Sequence, residues 1–139
     1  PFAFFHDLVA GGRKLDQSVR LGLRREGVGA GSPYAFTEAD LLRGKALYQS
    51  FCAICHGARG EGDGRAIPLG VPKPRSYHDP AVRDQPEGYF YFAATNGFGR
   101  MLPYKSRIPE RERWLIAHYI KRCLLSEACP EEVVHAEVH

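Results

Sequence analysis

Cys52-Ala53-Ile54-Cys55-His56 is the segment of this chain whose residue types and spacing could do chemistry. Two thiols three positions apart on a helix end can add to the two vinyl groups on one side of a haem. The next residue is then directed at the iron, where its imidazole becomes the proximal ligand. Other chemistries fit less well. A redox dithiol of the thioredoxin type needs a preceding strand and a βαβ context, and neither is visible. A zinc site needs a second ligand pair at fitting spacing, which Cys123 and Cys129 do not supply. Iron held through His56 needs a sixth ligand or an open site. The chain has one methionine, Met101, within Thr95-Asn96-Gly97-Phe98-Gly99-Arg100-Met101-Leu102-Pro103-Tyr104. Gly and Pro shape a loop that can lay a side chain against a planar cofactor. A thioether ligand favours ferrous iron and raises the potential. A Met is more often core filler, but a single Met in a loop between two helical segments reads better as the ligand.

These residues must be positioned by helices. Thr37-Glu38-Ala39-Asp40 reads as a capping box, and Leu41, Leu42, Ala46, Leu47 and Phe51 follow on one face, which predicts a helix over 38–52. Residues 57–85 are rich in Gly and Pro and read as loop with one helical turn. A loop that long inside a domain fits best if it packs on a cofactor. Pro86 suits the first position of a helix that ends at Asn96-Gly97. Pro109 opens the last helix in the same way, with Glu110 and Glu112 in its first turn and Lys121 and Arg122 in its last, as the helix dipole favours. Leu15, Val19 and Leu23 allow a short helix over 13–25, before a loop from Gly27 to Pro33. No period-two strand pattern is convincing, so the fold class is all-α.

The chain has 139 residues, 44% of them hydrophobic and 25% charged, with a net charge of +3. That is one ordinary domain with a real core, and it excludes wholesale disorder. The charge is too weak to argue for nucleic acid. No apolar stretch approaches the ~20 residues of a membrane span. The expected organisation is an extension over 1–36 lying on the domain, a haem domain over 37–125 and a tail over 126–139. The aromatic start, Pro1-Phe2-Ala3-Phe4-Phe5, is expected to fold back into a groove, the other reading being the stub of a membrane-proximal linker.

The run from Gly44 through Cys52, Cys55, His56 and Gly57, with a later Gly-x-x-Met loop and an aromatic last helix, resembles class I cytochrome c. The resemblance implies that fold, with an N-terminal extension, and one covalently bound haem c. It also implies Gly44 as a close-approach residue and Tyr119 as its aromatic partner. Asn96-Gly97-Phe98-Gly99-Arg100-Met101, Tyr104, Ile108-Pro109 and Arg113-Trp114 more narrowly resemble the monohaem cytochrome c subunit of alternative complex III. That likeness covers 38–122, though Met101-Leu102-Pro103 replaces the commoner Met-Pro. It implies a periplasmic electron carrier of the respiratory chain, not an enzyme. Its donor would be a quinol-oxidising complex and its acceptor a haem–copper oxygen reductase. Such subunits often carry a lipidated Cys, so a membrane tether would lie upstream of residue 1. The expected state is a monomer. A haem enzyme or gas sensor with an open or labile sixth site is the alternative reading.

Around the haem, the His56 ring should donate its other N–H to a carbonyl. Pro68 stands where the resemblance places such a residue, with Pro72 and Pro74 as rivals. Arg65, Arg75, Tyr77, Tyr89 and Trp114 are candidate propionate donors, each also an ordinary surface or packing residue on the bland reading. His118 and His78 read as packed or capped histidines, and His6, His135 and His139 as solvated. Lys45, Arg59, Arg65, Lys73, Arg75, Lys105 and Arg107 form either a docking face for an acidic partner or a solvated surface. Cys123 and Cys129 are expected to form a disulfide, the other reading being one buried and one free Cys.

Overall fold

The computed structural model describes residues 31–138. The helix expected over 13–25, the aromatic start, His6 and His139 lie outside the described residues, as does most of the extension. Regular structure in the described residues is helical, as expected for an all-α chain, and the extended pairing between Phe98 and Met101 is a single bridge.

Helix α1, Glu38–Phe51, starts at the expected capping box. The Thr37 hydroxyl accepts from the Asp40 amide at 3.2 Å, and the Asp40 carboxylate accepts from the Thr37 amide at 2.9 Å, so two orphan donors of the first turn are satisfied. Leu41, Gly44, Leu47 and Tyr48 form its buried face. A short helix α2, Ala53–His56, follows directly. The region expected to hold one helical turn holds two, a 3₁₀ turn Ile67–Leu69 and helix α3, Pro80–Arg83. The second starts where the Asp79 carboxylate accepts from the Ala81 amide at 3.0 Å and Pro80 fills the first helical position.

Helix α4 is Glu87–Asn96. Pro86 precedes it rather than opening it, because its ψ of 164° is extended. Helix α5, Glu110–Tyr119, continues as a π-helical turn, Ile120–Leu124, where a plain α-helix was expected. In that turn the Leu125 amide donates five residues back to the Ile120 carbonyl at 3.0 Å. The turn carries Cys123, which is bonded to Cys129 as expected. Helix α6, Glu131–Val134, follows.

The chain forms two compact units. One holds the described residues up to Tyr34 together with Pro86–Ala117, the other Ala35–Gln85 and the described residues from His118 on. In the first, Tyr91 stacks on Trp114 with ring centroids 4.1 Å apart and planes within 9°, and Phe90, Phe92, Ile108, Leu115 and Ile116 are buried. In the second, Tyr48 packs on Tyr119 at 5.6 Å and on Tyr77 at 6.5 Å, with Leu41, Leu47, Ile120 and Val133 buried. Tyr119 thus meets the α1 ring one turn beyond Gly44.

Candidate functional site

The Cys52–His56 segment is built almost wholly from backbone. The Cys52 amide donates to the Tyr48 carbonyl at 2.8 Å, and the His56 amide to the Cys52 carbonyl at 2.9 Å. The last carbonyls of a helix have no partners within it. Here a returning loop supplies them: the amides of Ala66, Gly64 and Gly62 donate to the carbonyls of Ile54, Cys55 and His56 at 3.0, 3.2 and 2.8 Å. Glycine at 64 is required for this approach, because a Cβ there would run into the Ile54 carbonyl. The Gly/Pro-rich middle of the sequence is therefore the cover of the motif, not slack chain. Tyr48 adds a phenol hydrogen bond to the Gly57 carbonyl at 2.7 Å. Lys73 ties the Gly62 carbonyl at 2.9 Å.

Cys52 and Cys55 are unbonded thiols, unlike Cys123 and Cys129. Burial, and next the proximity of Cys55, push the Cys52 thiol up to about 12. A redox dithiol needs a depressed value, so this environment argues against that chemistry. Burial pulls His56 down to about 4, which keeps the imidazole neutral and able to bind a metal. Its ring stacks on Tyr77 at 4.9 Å, planes within 22°. Nδ1 of His56 is buried with no hydrogen-bond partner, so the expected donation to the Pro68 carbonyl is not made. Pro68 lies exposed in the Ile67–Leu69 turn, and the carbonyls of Pro72 and Pro74 do not substitute for it.

In the other unit, Met101 is half-buried in a tight turn. Phe98 and Met101 exchange both backbone hydrogen bonds, at 3.1 and 2.9 Å, across Gly99 and Arg100. Gly97, with φ of +76°, lets α4 end there; a Cβ would meet the Met101 carbonyl. Trp114 is 2% exposed and its Nε1 has no partner; Asn96 Nδ2, at the end of α4, is likewise buried and unpartnered. Tyr89 is half-buried, its ring 5.9 Å from Phe98 and edge-on to Phe90 at 5.4 Å.

The remaining candidates divide. Tyr77 is buried against the motif. Arg65 is exposed, and Arg75 is exposed beside Asp79 at 3.7 Å, a contact of little energetic weight. Lys45 leaves the expected docking face: it is 7% exposed, and its ammonium donates to the carbonyls of Val133, Val134 and Ala136 at 2.7, 3.0 and 2.7 Å. His118 is packed, its ring 5.3 Å from that of Phe36. His78 bonds the Arg59 carbonyl at 2.8 Å and His135 lies 3.1 Å from Glu131. Sequence reasoning missed Asn96 as an unpartnered donor and Arg113, which is 6% exposed; the Asn96-Gly97 helix end was visible, but not the burial of its amide.

The donor set fits a covalently held haem. Two free thiols adjoin a neutral imidazole, and each unit has a buried polar atom without a protein partner. Among the described residues no three His, Cys, Asp or Glu side chains converge as a metal cage.

Comparison with known proteins agrees with that chemistry. The family described as "Cytochrome C oxidase, cbb3-type, subunit III" matches residues 39–120. A solved structure, the Kuenenia stuttgartiensis reducing HAO-like protein complex Kustc0457/Kustc0458, is similar with 29% identity and a TM-score of 0.54. The match covers 65% of this chain and 46% of the other, so this chain spans under half of that relative's length. A comparison with curated proteins found no match.

Proposed function

The chain belongs to the family of the cbb3-type cytochrome c oxidase subunit III, a c-type cytochrome domain, and on that premise we propose that it carries single electrons on one haem c held by Cys52 and Cys55, with His56 and Met101 as axial ligands. When bound, the haem supplies an iron that cycles between ferrous and ferric forms. The observation that carries the reading is the Cys52–His56 segment, in which two free thiols and a neutral imidazole are held on a backbone closed by the returning loop. The two thiols fix the cofactor covalently. His56 and the soft Met101 sulfur would hold the iron, and a thioether ligand would favour its ferrous form. Tyr77 backs the imidazole plane. Trp114 Nε1 and Asn96 Nδ2 supply donors for propionate oxygens. Arg65, Arg75 and Tyr89 remain weaker candidates for that role.

No substrate is transformed in this reading; the protein is a carrier. The family description names an oxidase subunit, and the structural relative is a protein complex, which supports protein partners. The narrower sequence resemblance suggests a quinol-oxidising complex as donor and a haem–copper oxygen reductase as acceptor. The carrier would work on the extracytoplasmic face, where c-type domains typically lie, and a tether would come from outside the described residues. Among those, no helix is long and apolar enough to cross a membrane. The domain limits proposed are 37–125 for the haem-bearing part, with 1–36 and 126–139 as appendages.

The test is a redox titration with an iron-to-protein ratio, followed by mixing with each partner. The reading expects one iron per chain, a one-electron transition, reduction by a quinol-oxidising complex and reoxidation by an oxygen reductase. High-spin ferric haem, or ready carbon monoxide binding by the native ferrous form, would favour the enzyme or sensor reading instead.

A further inference from the structure

Met101 sits in a connection over 97–109 whose backbone hydrogen bonds are mostly short-range. Phe98 and Met101 pair with each other, the Arg107 and Ile108 amides donate to the Tyr104 carbonyl, both at 2.9 Å, and the Tyr104 amide donates to the Ala94 carbonyl at 2.9 Å. One side chain on α5 adds bonds that reach both ends of the connection. The Arg113 guanidinium donates through Nε to the Thr95 hydroxyl at 3.0 Å, before the connection. Through Nη1 it donates to the carbonyls of Lys105 at 3.2 Å and Ile108 at 2.5 Å, at the far end. Nη2 lies 3.4 Å from the Tyr91 hydroxyl, and the cation sits over the Tyr91 ring, 5.5 Å from its centroid. Thr95 is oriented in turn, its hydroxyl donating to the Tyr91 carbonyl at 2.8 Å.

This cation is 6% exposed, and among the described residues no carboxylate pairs with it. Burying a charge without an ion partner is costly, and an apolar side chain would pack an ordinary helix contact at less cost. What a guanidinium adds is a rigid fork that can reach several acceptors at once. Here those acceptors lie on both sides of the Met101 turn.

We propose that Arg113 is the positioning residue for Met101: its fork clamps the start and end of the connection and so sets how firmly the sulfur is presented to the iron. The proposal rests on the His56/Met101 reading and deepens it. A loosened clamp raises the fraction of molecules with the sulfur off the iron. An added ligand such as imidazole binds only that fraction, so its apparent affinity measures the clamp.

The experiment compares imidazole affinity and reduction potential of the ferric holoprotein in four forms: wild type, Arg113→Lys, Thr95→Val and Val133→Ala. Lysine keeps the charge but not the fork. Valine removes one acceptor. Val133 is fully buried in the other unit, so its truncation is the control for lost stability alone. Arg113→Lys should tighten imidazole binding by about tenfold and lower the potential, and Thr95→Val should tighten that binding by about threefold with a smaller drop in potential. Val133→Ala should lower thermal stability and leave both unchanged. Equal, small changes in all three variants would overturn the clamp. If Arg113→Lys gives no holoprotein, Thr95→Val decides, and unchanged imidazole affinity there overturns it. Wild-type protein lacking a sulfur–iron charge-transfer band would overturn the His/Met reading and the clamp together; a band present with unresponsive variants overturns the clamp alone.

Discussion

The Cys52–His56 segment and the Met101 turn are held by different means. The first lies at the end of a capped 14-residue helix, and its carbonyls are closed by amides from residues 62, 64 and 66. Nearly every tie is backbone to backbone. The second is a two-residue turn in a connection with mostly short-range backbone bonds, whose two ends are bridged by the Arg113 side chain. Backbone ties survive most substitutions, whereas side-chain ties are lost with one. On the proposed ligation, the difference predicts a proximal side fixed by the chain's course and a sulfur side that can be tuned, or opened, by single residues.

The largest expected effect tests the fixed side. His56→Ala should cut the yield of haem-loaded protein by at least about tenfold, read as the haem-to-protein absorbance ratio, because ligand binding and folding are coupled at such sites. Full loading would break the comparison at its stronger end. Next, Met101→Ala should leave loading intact while lowering the potential and tightening exogenous ligand binding by about a hundredfold. Unchanged ligation would remove Met101 from the site.

Gly64→Ala tests whether the returning loop matters as backbone. A Cβ there meets the Ile54 carbonyl, and the overpacking should cost about 2 kcal/mol, seen as a lower urea midpoint. An unchanged midpoint would mean the loop is slack. Alkaline pH offers another probe of the same unit. Burial raises Tyr48 above the ordinary phenol value and pushes Tyr119 up to about 12. Both groups bind their protons more tightly folded than unfolded, so their contribution is complete below about pH 10 and is lost as pH rises through the folded values. Stability should fall across that window, and Tyr119→Phe should flatten the fall. The smallest effect on the haem lies away from both proposed ligands: Lys45→Met strands three carbonyls and should cost about 2 kcal/mol with the potential unmoved.

Local features were legible in the sequence because they are defined by neighbours. The capping box at Thr37, the thiol spacing, the Asn96-Gly97 stop and the Cys123–Cys129 pair all depend on residues a few positions apart. Lys45 was not. It reads as one more surface cation, yet its partners are carbonyls of residues 133, 134 and 136, and a carbonyl has no signature in the sequence because every residue carries one. Arg113 escaped for the same reason. The π turn at Ile120–Leu124 also left no mark, since its residues suit an α-helix equally well. Pro68 shows the opposite failure. Its position suggested a role that requires a carbonyl at His56 Nδ1, and the turn around it leaves that nitrogen unpartnered.

The central claim is that one iron is held by His56 on the fixed side and by Met101 on the tunable side. The absorption spectrum of the ferric protein at neutral pH tests it most directly, read beside that of Met101→Ala. A His/Met-ligated iron requires low-spin haem with a sulfur–iron charge-transfer band in the wild type and its loss in the variant. High-spin haem in the wild type, or a band that survives the substitution, would contradict it.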